Sequence, residues 1–140
     1  MATVINSADR KCDRQRHVLH RNKETTNLAR MWTRHFLLTE HREDLVEIGE
    51  ICISELVGNS IRHTTSPLIV LTMHPNDGSP LFEVWDDSLK LPEFPKVVSF
   101  DDLEAESGRG LCLVKHLSRD CGTVGSGPAA EDGKIVWFRL

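Results

Sequence analysis

The sequence predicts an α+β protein built as a two-layer α/β sandwich, with a mixed, mostly antiparallel sheet carrying its helices on one face. Three observations predict it. Apolar residues recur at helical spacing in three stretches, and five others read as strands from alternation or β-branched content. Two of the strand-like stretches, residues 68–74 and 81–86, are joined by Pro75-Asn76-Asp77-Gly78-Ser79, a run with strong hairpin chemistry. Paired strands then stand before and after the third helix, an order that favours antiparallel neighbours and helices massed on one side.

The 140 residues suffice for one domain with a real core. The predicted division is a flexible tail over residues 1–14 and a single domain over residues 15–140. The net charge of −4 gives no general footprint for nucleic acid, although residues 10–21 are locally basic. No apolar run approaches the roughly 20 residues of a membrane span, and no secretory signal is visible at the start. Cys12, Cys52, Cys112 and Cys121 are far apart and lack CxxC spacing, so reduced thiols in a cytoplasm are expected. Cys52 and Cys112 fall on expected helix core faces and read as small hydrophobes.

In chain order, residues 15–21 hold a short β-type alternation around Val18, suited to an edge strand. Leu28, Met31, Trp32 and His35 then recur at helical spacing, with Phe36 and Leu38 widening the face. This predicts a first helix over residues 24–38, with Asn22 and Thr25 as candidate caps and Met31 and Trp32 as core. A second helix is expected over residues 43–63, with Glu43 and Asp44 at its positive end. Gly49 and Gly58 lie inside it. Gly49 reads as close packing, and Gly58 as either packing or backbone room beside a ligand. The hairpin follows, and alternation puts Asp86 on the same sheet face as Phe82 and Val84. Residues 87–107 are long and acidic, contain Pro92 and Pro95, and allow a helical turn around residues 101–105. A third helix spans residues 111–118, packing Leu111, Val114 and Leu117 inward. Residues 121–124 and 134–140 close the chain as two strands, with Ile135, Trp137 and Arg139 on one face of the last.

Three separated signals carry chemistry. Ile48, Cys52, Glu55 and Asn59 share one stripe of the second helix, so a carboxylate and an amide intrude on an apolar face. Either they face water at the rim, or something polar answers them. A divalent cation beside a phosphate would do so. Asp86 ends an apolar strand face, where it could accept a hydrogen bond from an exocyclic amine. Gly108-Arg109-Gly110 opens the third helix, where backbone N–H groups and the helix dipole favour an anion. Asn59 offers an amide oxygen to Mg²⁺, and Glu55, one turn away, could deprotonate an attacking hydroxyl or water.

ELVGNSIRH, VWDDS, SGRGLCLV and the closing GKIVWFRL together resemble the motifs of the GHKL ATPase/kinase superfamily. Its members share the Bergerat fold of histidine-kinase ATP-binding domains and DNA gyrase. Within it, the chain is most similar to stand-alone anti-sigma-factor serine/threonine kinases of the actinomycete type. The resemblance covers residues 18–140. It implies Glu55 as catalytic base, Asn59 as Mg²⁺ ligand and Asp86 as reader of adenine. It also implies Gly108, Arg109, Gly110 and Leu111 as the phosphate-side turn, residues 87–107 as a lid over ATP, and a minor role for His63. The implied partners are a sigma factor and a small STAS-type anti-sigma antagonist, with homodimerisation by analogy and no direct contact with nucleic acid or membrane. One departure stands out. The superfamily reads Asp-x-Gly where this chain has Asp86-Asp87-Ser88, and Ser restricts positive φ. The substitution bears on nucleotide affinity and on the lid hinge, but members of the actinomycete type often lack this glycine, so binding is expected to persist, with turnover left open.

Two other functions compete with the switch kinase. One is a non-catalytic module that uses nucleotide to set its shape while gripping a sigma factor or phosphatase. The other is a detached histidine-kinase ATP-binding domain acting in trans on a His-bearing partner.

Overall fold

The computed structural model describes residues 13–96, 109–125, 127 and 130–140, with Arg109 described in its backbone. The tail up to residue 12, the lid segment 97–107 with its expected helical turn, and Gly108 lie outside the described residues. The architecture is α+β. Five strands form one sheet: β1 (Gln15–His20), β2 (Leu68–His74), β3 (Leu81–Asp86), β4 (Asp120–Val124) and β5 (Lys134–Arg139). Three helices accompany it: α1 (Thr25–Thr39), α2 (Val46–His63) and α3 (Arg109–Leu117).

The strand order is β1-β2-β3-β5-β4. Every pairing between these strands is antiparallel, in line with the mostly antiparallel sheet expected from sequence and with no parallel pair among them. The reason is the route of the chain. After β3 it passes through α3 to the far edge, and β5 then returns into the gap, opposed to both neighbours.

The β2–β3 hairpin turns through three consecutive left-handed residues, Asn76 (φ 48°), Asp77 (φ 50°) and Gly78 (φ 92°). Asn, Asp and Gly are the residues that tolerate this conformation, which is why the turn was legible. Alternation then sends Ile69, Leu71, Met73, Phe82, Val84, Val136 and Phe138 into one core with the helices. At its centre Phe82 stacks on its cross-strand partner Phe138 at 4.8 Å, and Phe36 of α1 meets Phe82 edge-on at 5.8 Å. Ile135, Trp137 and Arg139 share the opposite sheet face, as expected.

α1 is rotated from its expected face. The buried residues are Thr25, Ala29, Thr33, Phe36 and Leu37, whereas Met31 is 50% exposed and Leu28 and Leu38 are also exposed. Met31 is therefore not core, and Trp32 is half-buried, stacked on His17 of β1 at 4.0 Å. Close approach of α1 and α2 decides this. A Cβ on Gly49 would come within 2.7 Å of Leu37 Cδ1 and 3.3 Å of Thr33 Cγ2, so small residues on both helices let them touch. Leu28, Met31 and Leu38 are turned outward, while Phe36 and Leu37 stay in the core. The expected caps also differ. Asn22 Oδ1 accepts from the Glu24 N–H at 2.7 Å, while the buried Thr25 hydroxyl donates to the His20 carbonyl at 2.6 Å. The expected start of the second helix is replaced by a separate 3-10 turn, Glu43–Leu45, before α2 begins at Val46.

Arg21, from the basic stretch, is used structurally. Its guanidinium donates to the carbonyls of Ile61 (2.5 Å) and Thr64, answering the end of α2. No helix among the described residues is long and apolar enough to cross a membrane.

Candidate functional site

The C-terminal half of α2 runs beside the ends of β3 and β5 and the first turn of α3. These elements enclose a cavity of about 550 Å³. Its apolar lining comes from Leu56, Val84, Leu111 and Val136, each placed by the periodicity of its own element. The segment after β3 contributes Ser88, Lys90, Leu91 and Pro92 to one side, so the described part of the expected lid borders the cavity.

The site residues expected from sequence mostly meet here. Asn59, Asp86, Gly110 and Leu111 all line the cavity, as does the exposed His63. Glu55 is not among the lining residues. It lies one turn behind Asn59, half-buried, with its carboxylate packed against Gly110: a Cβ on Gly110 would overlap Oε2 and sit 3.3 Å from Cδ. A side chain at position 110 would thus push Glu55 away. Gly58 does not line the cavity. A Cβ there would meet only the Arg62 side chain, at 3.0 Å, so the reading of backbone room beside a ligand is corrected to local packing. Gly108 and the Arg109 side chain lie outside the described residues.

Asp86 is 1% exposed and fully engaged. Lys134, its direct cross-strand partner, donates from Nζ to Oδ1 at 2.6 Å and to Oδ2 at 2.7 Å. The Ser60 hydroxyl donates to Oδ2 at 2.6 Å, and the Ser88 backbone N–H to Oδ1 at 3.0 Å. Lys134 is itself 4% exposed, so an ammonium and a carboxylate are buried as a pair at the cavity wall. Sequence reasoning missed both Lys134 and Ser60. The signal was available for Lys134: with Ile135 and Trp137 on one face of the last strand, Lys134 must share the other with Val136 and Phe138.

Ser88 stands where the resemblance expects a glycine. It is not among the positive-φ residues, so its Cβ meets no backbone restriction. Instead its N–H binds Asp86 and its hydroxyl accepts from the Lys90 N–H at 3.2 Å, a compact turn that needs no glycine. The neighbouring Asp87 N–H donates to the hydroxyl of the buried Ser66 at 3.1 Å, which anchors the start of the segment to the sheet.

Cys52 lies below Glu55 on the α2 stripe. Burial, then the nearby Cys121 and Glu55, push its thiol up to about 12, so it stays protonated and acts as packing. Among the described residues no cluster of three His, Cys, Asp or Glu side chains could hold a metal ion. The oxygens that the expected Mg²⁺ role would draw on are the Asn59 amide at the cavity and the Glu55 carboxylate one turn behind it. That set is too small for a protein-only cage but fits Mg²⁺ held jointly with phosphate oxygens.

The arrangement is a mostly apolar cleft with a buried ion pair at one wall and a helix N-terminal turn and an amide at another, the Glu55 carboxylate lying behind that wall against Gly110. Neither the comparison with protein-family models nor that with characterised proteins yields a match for this chain.

Proposed function

We propose that the chain is an ATP-binding regulator of the GHKL type, acting as an anti-sigma-factor serine/threonine kinase. It sequesters a sigma factor and phosphorylates a small STAS-type antagonist. The observation that carries this reading is convergence. Asn59, Asp86 and Gly110, from three motifs far apart in sequence, line one cavity of about 550 Å³, and Glu55 rests against Gly110. That volume lies within the roughly 300–1,000 Å³ typical of small-ligand sites.

Each residue has a task in this reading. The first turn of α3, through Gly110 and Leu111, offers backbone N–H groups to phosphate oxygens. Asn59 supplies an oxygen to Mg²⁺, which when bound neutralises phosphate charge. Glu55 takes the proton of the attacking hydroxyl, and its position is defined by the missing side chain at Gly110. Leu56, Val84 and Val136 give the base an apolar wall. Ser88, Lys90, Leu91 and Pro92, after β3, flank the nucleotide on one side.

The test is incubation with γ-labelled ATP, Mg²⁺ and candidate antagonists. The expected result is transfer by the wild type, and a loss of about 100-fold or more in Glu55→Gln. Absence of transfer to every antagonist counts against a kinase.

A second reading has its own support. The Glu55 carboxylate lies outside the cavity lining, against Gly110, which suits a module that binds nucleotide without turning it over. Under that reading Glu55→Gln leaves nucleotide-dependent partner binding unchanged and no phosphorylated antagonist forms with either protein.

A further inference from the structure

A carboxylate has about four lone-pair positions with which to accept hydrogen bonds. In Asp86 four donors occupy them: Lys134 Nζ twice, the Ser60 hydroxyl and the Ser88 N–H. The acceptor that should recognise an exocyclic amine is already spoken for inside the protein. The ammonium, in contrast, has three N–H donors, of which Asp86 takes two. No protein acceptor takes the third among the described residues. Lys134 and Asp86 both line the cavity, so a base edge arriving at this wall meets a donor.

The pair is a product of the sheet register and does not depend on mobile side chains. Asp86 and Lys134 are directly opposed at the ends of β3 and β5, on the helix-facing side. Gly133, just before Lys134, lets the chain pass so close that a Cβ there would overlap the Asp86 carbonyl oxygen. Moving Lys134 aside to free the carboxylate would strand an ammonium and a carboxylate in a site where each is nearly inaccessible to water.

We propose that Lys134 determines the base specificity of this cavity: it donates to an acceptor on the purine edge, and Asp86 holds the ammonium in place without itself reading the six-amino group. The inference rests on the nucleotide reading above and specifies the ligand class. Adenine can satisfy the ammonium through N1, and a 6-oxo purine through O6. The site therefore takes adenine and 6-oxo purine nucleotides alike, whereas an open carboxylate would reject the latter.

Calorimetry on the full chain with Mg²⁺ tests this using ATP, purine riboside 5′-triphosphate, which lacks the six-amino group, and ITP, which replaces it with a carbonyl. The expected result is that both analogues bind within about threefold of ATP or tighter, a difference of less than one hydrogen bond. Larger losses for the analogues would mean that a protein acceptor reads the amine, and would overturn the proposal while leaving nucleotide binding intact. If none of the three binds, the nucleotide reading fails and takes the proposal with it. Lys134→Met adds an independent arm. By uncovering two lone pairs of Asp86 it should raise the ATP-over-ITP preference about tenfold, and an unchanged ratio overturns the proposal. Should that variant not fold, the wild-type series still decides.

Discussion

Replacing Lys134 by Met removes one member of an ion pair whose side chains are only 6% and 2% exposed. The methylene stem is largely preserved, so the change is mainly electrostatic. Asp86 keeps the Ser60 and Ser88 donors but loses its counter-charge. Breaking a buried pair by removing one partner costs about 3–5 kcal/mol, because the survivor is left charged or must take up a proton. Domains of this kind have only about 5–15 kcal/mol in total, so the loss is a large share of stability. With a urea slope near 2 kcal/mol/M, the unfolding midpoint should fall by about 2 M. Asp86→Asn should also destabilise, though less, since the amide oxygen still accepts from a serine donor. The double variant should cost clearly less than the sum, with a coupling of about 2 kcal/mol or more. Urea titration followed by circular dichroism measures all four proteins of the cycle. A cost below about 1 kcal/mol for Lys134→Met, or additivity within about 0.5 kcal/mol, would refute the buried pair as described.

Gly133→Ala places a methyl group on the Asp86 carbonyl and within 2.8 Å of the Trp85 ring, where the obstruction is backbone. It should cost about 3 kcal/mol, the upper end of overpacking, read as a drop in urea midpoint. Gly110→Ala meets only the mobile end of Glu55, and its helix propensity improves by up to about 1 kcal/mol. Thermal melting should therefore change little, while phosphoryl transfer to an antagonist falls at least about tenfold; unchanged transfer would show that Glu55 is not positioned through this contact. Cys52 sets an alkaline limit. Its folded pKa is raised from 9.0 to about 12, so the stability from keeping the thiol neutral is complete below pH 9 and lost as pH rises toward 12. Urea midpoints should decline over that window, and Cys52→Ala should flatten the decline.

Strands and helices were legible because their signals are local. The left-handed turn at Asn76 to Gly78 has the residues that conformation requires, and alternation through Phe82, Val84 and Asp86 gave the correct inward face. The rotation of α1 was not legible, because it depends on Gly49 of another helix admitting Thr33 and Leu37. Hydrophobicity alone favours Met31, whereas close packing selects Ala29 and Thr33. At the cavity, Asn59 and Asp86 stood out because each breaks an apolar pattern and Gly110 because it stands in a glycine pair at a helix start, while Leu111 entered through the resemblance alone; all four line the same space. Ser60 was hidden because it sits beside Asn59 in a helical run with nothing to mark it. Lys134 was overlooked because it opens a strand, where a charge looks solvent-facing, although alternation with Ile135 and Trp137 already put it on the inner face. The concern over Ser88 arose from a motif rule, and the local hydrogen bonds supply the turn by another route.

β5 is the last strand in sequence yet occupies an interior position, between β3 and β4. Until it inserts, β4 has no partner, Phe82 lacks its stacking neighbour and Asp86 has no counter-ion. During synthesis the cleft therefore cannot mature stepwise from the amino end. The strand over residues 134–139 must be available to the rest of the sheet before any ligand meets a finished pocket.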